Sequence, residues 1–247
     1  MVRFFPASAV QGVFLFGDQT PQRPLEKELE PLGSELVQRT WFVLGNHDAD
    51  QELFLRNHFG MWRRHLHGRV VTVGGMRVGG LSGTFHEDIW DPPSDPVYAS
   101  RAELSREEPS CLDIQQDDSG ILMYWTSIFP EDVYSLFASS EVDVLLMHEA
   151  PGDHRHGFSV LDQLVASTGA SVVLHGHHHE NTEGRLEPDV QVFGLGMKQC
   201  MILTLELVFP GGRPVAGHEG KMSRFFAHLV LQKKRPGLYS ADRWLSS

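Results

Sequence analysis

Four short apolar runs in this chain end the same way, each passing through glycine or an apolar residue straight into a residue type that binds metals. VFLFG at 13–17 meets Asp18, and WFVLG at 41–45 meets Asn46-His47-Asp48. VDVLLM at 142–147 meets His148-Glu149, and SVVLHG at 171–176 meets His177-His178-His179. Runs of this length and composition read as buried strands. Open α/β sheets collect their ligands in the crevice beyond the carboxyl ends of such strands. One such ending is weak evidence, and four with no exception are strong.

The intervening stretches supply the helices. PLEKELEPLGSELVQ at 24–38 is an amphipathic helix pattern broken near Pro31 and Gly33. The spacing predicts a helix over 49–66, with Phe54, Leu55, Phe59 and Trp62 facing inward. RVVTVGGMRVGGLSG at 69–83 predicts two strands around a Gly-Gly turn. PEDVYSLFASS at 130–140 and SVLDQLVAST at 159–168 are helices, while VQVFGLG, MILTLELVF and FFAHLVLQ are strands without helices between them. Strand–helix alternation followed by a strand-rich end predicts a layered α/β fold. Residues 1–247 are expected to form a single domain, and the patternless stretch at 85–130 an excursion or lid.

Composition narrows the function. The net charge of −11 disfavours long nucleic acid and membrane surfaces, and the basic run LQKKRPG at 231–237 is short enough to be a solvated turn. No run approaches the length of a membrane span, and no secretory signal is evident at the start. Cys111 and Cys200 form neither a disulfide framework nor a metal-type pair, so a cytoplasmic protein is expected. Fourteen histidines are many for this length, and four of them fall within five residues at 175–179. In an extended segment His177 and His179 share one face and His178 takes the other. His175 precedes the bend at Gly176 and reads as a packed histidine at a strand end.

The ordered set Gly17-Asp18, Gly45-Asn46-His47-Asp48, His148 and Gly176-His177-His178-His179 resembles the calcineurin-like metallophosphoesterases from about residue 13 to about residue 208. The resemblance implies a two-sheet β-sandwich flanked by helices, in four αββα layers, with two divalent metals at the strand ends. It implies Asp18 as the carboxylate bridging both metals, with Asn46, His148 and His177 completing the shell of one and His179 serving the other. His47 would act near the scissile bond as an acid or charge stabiliser, with Asp48 supporting its loop. Oxygen donors with neutral imidazoles suit Mn, Fe, Zn or Co rather than Ca. Two such ions can clamp a phosphoryl group and turn a bridging water into hydroxide at neutral pH. A metallo-β-lactamase pattern fails, because Glu180-Asn181 stand where it needs an aspartate, and a structural zinc site would favour cysteine.

One family motif has no match. The Asp-x-His that members carry before the Gly-Asp is absent from MVRFFPASAVQGVFLFG, which contains no Asp, Glu or His. The first strand is therefore expected to be missing, leaving an open sheet edge and one metal with only Asp18 and His179. A shortened chain of reduced activity is expected, and the alternative is a binding or regulatory module that keeps the fold. Gly17-Asp18 lacks the continuation of the protein-phosphatase branch, and Met76–Phe85 only faintly resembles the lariat-debranching branch. A small phosphodiester or phosphomonoester, with nucleotides among the options, is the expected substrate. Trp90, Tyr98 and Trp125 are candidates to stack a base, and Arg101 or Arg106 to meet a phosphate. His86, Asp88, His154 and His156 are candidates near the site, and Asn181 to orient a ligand.

Overall fold

The computed structural model describes residues 10–110, 122–138, 141–186, 189–196, 203–205 and 225–227. Its strands form two sheets. The smaller has the order β2-β1-β10-β9, from β1 (Val10–Phe16), β2 (Thr40–Val43), β9 (Leu203–Leu205) and β10 (Phe225–Ala227). The larger has the order β3-β4-β5-β6-β8-β7, from β3 (Arg69–Val73), β4 (Met76–Leu81), β5 (Val144–Met147), β6 (Val172–His175), β7 (Thr182–Leu186) and β8 (Val190–Gly194).

The period-2 alternation of strand side chains sorts each apolar run onto two faces. Phe14 and Phe16 of β1 pack with Val78, Val144, Leu146, Val172 and Leu174 in a core between the sheets. The alternate residues Val13 and Leu15 face Leu25, Leu29, Leu55 and Met61. These come from α1 (Leu25–Glu28) and α3 (Glu52–Arg56), with a 3-10 turn at Phe59–Arg64; α2 (Ser34–Gln38) lies between them in the chain. On the far face of the larger sheet, Leu81, Leu145, Met147 and Val173 pack against Leu104, Val133, Leu136, Leu161 and Leu164. Those residues belong to α4 (Arg101–Glu107), α5 (Pro130–Ala138) and α6 (Ser159–Thr168). The result is a four-layer αββα sandwich, the architecture expected from the sequence. Central strands buried on both faces read as unbroken apolar runs, whereas the edge strands β3 and β7 are half-exposed.

The expected long helix at 49–66 is instead a 3-10 turn, one turn of α3 and a second 3-10 stretch. Phe54 and Leu55 are buried as expected, but Phe59 is 39% exposed. The stretch at 24–38 breaks at Pro31 and Gly33, as its sequence indicates. The edge expected to stand open beside β1 is met by β10, in parallel, at Val10 and Gly12. The described parts of 85–130 pack into the outer helix layer, with Ile89, Trp90, Leu104, Ile128 and Phe129 in its core. Asp132 caps α5 by accepting the amide of Phe129 at 2.9 Å. Cys111, Cys200 and the basic run at 231–237 lie outside the described residues. Among the described residues no helix is long and apolar enough to cross a membrane.

Candidate metal centre

The parallel strands β1, β2, β5 and β6 all end at one rim of the sandwich, and the loops beyond them carry the polar residues. Backbone geometry brings the loops together. Gly17 has φ +89°, and a Cβ there would stand 2.2 Å from Nδ1 of His148. A Cβ on Gly45 would stand 2.2 Å from Oδ1 of Asp18 and 2.5 Å from Cε1 of His148. Only glycine permits that approach. Asp18, His177 and His179 have φ of +58°, +63° and +57°, left-handed conformations that side-chain-bearing residues adopt at a cost and that cluster at functional sites.

Four donor atoms converge there. Oδ1 of Asn46 lies 3.2 Å from Nε2 of His148 and 3.1 Å from Nδ1 of His177. Oδ1 of Asp18 lies 3.5 Å from Nε2 of His148. His148 is fully buried, and its Nδ1 lies 2.5 Å from the carbonyl oxygen of Phe16. A carbonyl only accepts, so Nδ1 carries a proton, and Nε2 presents a lone pair to two oxygen acceptors whenever the ring is neutral. Lone pairs facing one another repel unless a cation sits among them. Two donors ~2.1 Å from one ion and about 90° apart are themselves ~3 Å apart, which is the spacing found here. The set therefore fits a divalent cation. Burial alone would raise the Asp18 carboxyl, but His148, His179 and His47 outweigh it and hold it at about 2. Burial pushes the His177 imidazole down to about 4 against the pull of Glu149, leaving a neutral ring able to ligate.

The other oxygen of Asp18, Oδ2, is 3.5 Å from Nε2 of His179. His47 donates its amide N–H to Oδ1 of Asp18 at 3.1 Å, and its Nδ1 lies 2.9 Å from Oδ2 of Asp50. Asp48, fully buried, accepts the amide of Gly45 at 2.9 Å and that of Thr20 at 2.7 Å, tying the Asp18 loop to the Asn46 loop. Burial and the neighbouring Asp18 charge push its carboxyl up to about 8.

His177 meets Asn46 while His178 turns toward Glu149 and His154, in a segment that is bent rather than extended, with left-handed residues at His177 and His179. The His178 ring stacks on His154 at 4.1 Å between centroids, and its Nε2 is 3.6 Å from Oε1 of Glu149. Among the described residues the one trio of His, Cys, Asp or Glu ligand atoms within 4.8 Å of one another is Glu149, His177 and His178. Glu149, which directly follows His148 at the end of β5, was not among the ligands expected from the sequence. His175 is buried, its Nδ1 is 3.2 Å from the Gly176 carbonyl, and burial lowers it to about 4.

The other sequence candidates take structural positions. Trp90 is buried with its indole N–H donated to Ser94 O at 3.2 Å, and Tyr98 packs on the same core, so neither is free to stack a base. Asn181 accepts the amide of Gly196 at 2.8 Å and so fixes a loop rather than a ligand. His86 accepts the amide of Asp88 within one turn. Arg106 is exposed on α4, whereas Arg101 pairs with Asp132. His154 and His156 gather around His178.

A protein from Haemophilus influenzae of uncharacterized function is 35% identical over 161 residues, 64% of this chain and 70% of that one. A Thermus thermophilus crystal structure is 16% identical, covering 80% of this chain and 82% of that one with a TM-score of 0.46. The phosphopantetheinyl hydrolase of Mycobacterium tuberculosis is 14% identical, covering 78% and 82%, with a TM-score of 0.47. The model of the calcineurin-like phosphoesterases matches residues 3–181, which carry every donor described above, and the chain belongs to that family.

Proposed function

We propose that the protein is a metal-dependent phosphoesterase that hydrolyses a small phosphodiester or phosphomonoester, with nucleotides the favoured class. The observation that carries this reading is the pinned tautomer of His148, whose Nε2 lone pair faces Asn46 and Asp18. In this reading Asp18, Asn46, His148 and His177 hold one divalent ion, of the Mn, Fe, Zn or Co type. His179 and the second oxygen of Asp18 reach toward another.

Such ions neutralise phosphoryl oxygens and lower the pKa of water. The chain does the rest. Asp18 enters this chemistry ionised over the whole neutral range, because its carboxyl is held at about 2. His47 is aimed by two contacts, its amide on Asp18 and its Nδ1 on Asp50. With Nδ1–H on Asp50, a protonated ring presents Nε2–H to a phosphoryl or departing oxygen, which is general-acid work or charge stabilisation. Asp48 holds the His47 loop in register with the Asp18 loop through its two amide bonds. No protein nucleophile is required.

The test is metal analysis of the purified chain together with turnover of bis-para-nitrophenyl phosphate and para-nitrophenyl phosphate under added manganese. Metal-dependent turnover that disappears in Asp18→Ala supports the reading. Wild-type turnover by Asp18→Ala, or no turnover by the wild type under added manganese, sinks it and leaves a binding module.

A further inference from the structure

Beside the donor cluster lies a cavity of about 440 Å³ lined by Trp62, His65, His67, Arg69, Arg101 and Trp125. That volume is within the usual range for small-molecule sites. It adjoins the loop that carries Asn46 and His47. The turn Met123–Thr126, which holds Trp125, packs against the turn Asn46–Ala49. Ser82 makes a second link, since its Oγ accepts the amide of Leu44 at 2.9 Å and lies 2.7 Å from Nε2 of His65.

The chemistry of the lining is unlike the rest of this acidic chain. Arg101 is spent on Asp132, at 2.5 Å. Arg69 is not: among the described residues no carboxylate lies within ion-pair range of it. It donates to the carbonyl of Arg63 at 2.5 Å and lies over the face of Trp41 at 5.9 Å. Arg64 stacks on the same indole at 4.6 Å and likewise has no acidic partner among the described residues. Burial, with His67, Arg69 and Arg101 among the surrounding charges, pushes His65 well below its ordinary value, so the cavity wall stays positive without needing a charged imidazole there. Two donors of the lining, Nε of Arg69 and the indole Nε1 of Trp125, are shielded from solvent and have no acceptor among the described residues. Trp62 and Trp125 stand 6.5 Å apart at 75°, offering an indole face and an indole edge to a flat ring.

We propose that this cavity receives the part of the substrate remote from the scissile bond, a heteroaromatic ring bearing a second anionic group, which makes the substrate a nucleotide with more than one phosphate. The ring stacks on the indoles, and Arg69 takes the second phosphate while the first lies at the donor cluster. This rests on the phosphoesterase reading above. It explains how a chain of net charge −11 admits a polyanionic small molecule, since the local cations outweigh the repulsion at contact distance.

The experiment compares adenosine 3′,5′-bisphosphate with 5′-AMP as manganese-supported substrates of the full chain, in wild type, Arg69→Met and Arg69→Lys. Methionine keeps the apolar stem over Trp41, and a thermal midpoint close to wild type certifies the fold. A charge-assisted contact predicts that the ratio of kcat/KM for the bisphosphate to that for 5′-AMP falls about tenfold or more in Arg69→Met, mainly through KM. Lysine should restore part of it. An unchanged ratio, or a wild type that cleaves bis-para-nitrophenyl phosphate and neither nucleotide, overturns the proposal and leaves the phosphoesterase reading intact. If no ester is turned over, calorimetry on the metal-free chain decides the cavity separately. Bisphosphate binding that weakens about tenfold in Arg69→Met supports it, and equal or absent binding overturns it.

Discussion

Nδ1 of His148 sits 2.5 Å from the carbonyl oxygen of Phe16, so the last residue of β1 fixes the tautomer of a histidine beyond the end of β5. The bond spans the two sheets and leaves Nε2 aimed at Asn46 and Asp18. Partners of this kind raise ligand basicity and hold ring orientation. His148→Gln should therefore weaken manganese binding by about 100-fold or more, since it removes the donor itself. Isothermal titration measures it. Affinity within a few-fold of wild type would place the ion away from His148.

Gly17 gives a prediction about folding that is independent of metal. A methyl group at that position meets Nδ1 of His148 at 2.2 Å and the backbone of Gly45 at 2.6 Å, in a conformation with φ +89°. Backbone atoms cannot rotate out of the way. Gly17→Ala should cost about 3 kcal/mol or more from strain and displaced packing. For a chain of this size that lowers the thermal midpoint by roughly 6–12 °C. A midpoint equal to wild type in the presence of EDTA would show that the two loops are not packed as described.

Acid stability turns on Asp132. Its carboxylate lies 2.9 Å from Nε2 of His67 and 2.5 Å from Nη1 of Arg101, and its other oxygen caps α5. Burial would raise this carboxyl, yet His67 and Arg101 hold it well below the usual carboxylate range. The sign follows from linkage: a depressed folded pKa means the unfolded chain binds the proton more readily. The stabilisation is complete above the unfolded value near ~4 and is lost as pH falls below it. Asp132→Asn should cost about 3 kcal/mol at pH 7, because Arg101, His67 and an amide lose their shared carboxylate. The difference from wild type should shrink toward pH 2–3. Urea unfolding across that range reads it, and a gap that widens on acidification would reverse the assignment.

The sequence makes the strands and their loop endings readable because a strand buried on both faces must be apolar throughout and must end where the polar residues begin. VFLFG, WFVLG, VDVLLM and SVVLHG obey that rule and indicate a layered α/β fold, while the four-layer arrangement followed from the family resemblance. Helix lengths were less readable. The segment 49–66 has helical periodicity, but its residues pair with the neighbouring loops: His58 Nδ1 with Phe54 O, and the Leu66 amide with Phe42 O at 2.8 Å. Tertiary contacts there override local propensity. The strand β7 was missed because TEGRL at 182–186 is a polar edge with no apolar run to announce it. The cavity around Arg69 was missed for another reason. Its residues come from segments far apart in sequence, and no spacing rule links them.

The last prediction separates two positions for an ion around His177. One lies with Asn46, His148 and Asp18, and the other with Glu149 and His178. The first is favoured because His178 is already engaged, stacked on His154 at an interplanar angle of 14°, and because Glu149 accepts the Ala150 amide at 3.0 Å. A ligand at 100 times its Kd stabilises a folded chain by about 2.7 kcal/mol. Manganese at that excess should raise the wild-type midpoint by roughly 5–11 °C, and EDTA should reverse the shift. Asn46→Ala should abolish most of the shift at the same manganese concentration, whereas His178→Ala should keep it. The opposite pattern, with His178→Ala losing the shift and Asn46→Ala retaining it, would move the ion to the Glu149 side and leave Asn46 as a hydrogen-bonding residue.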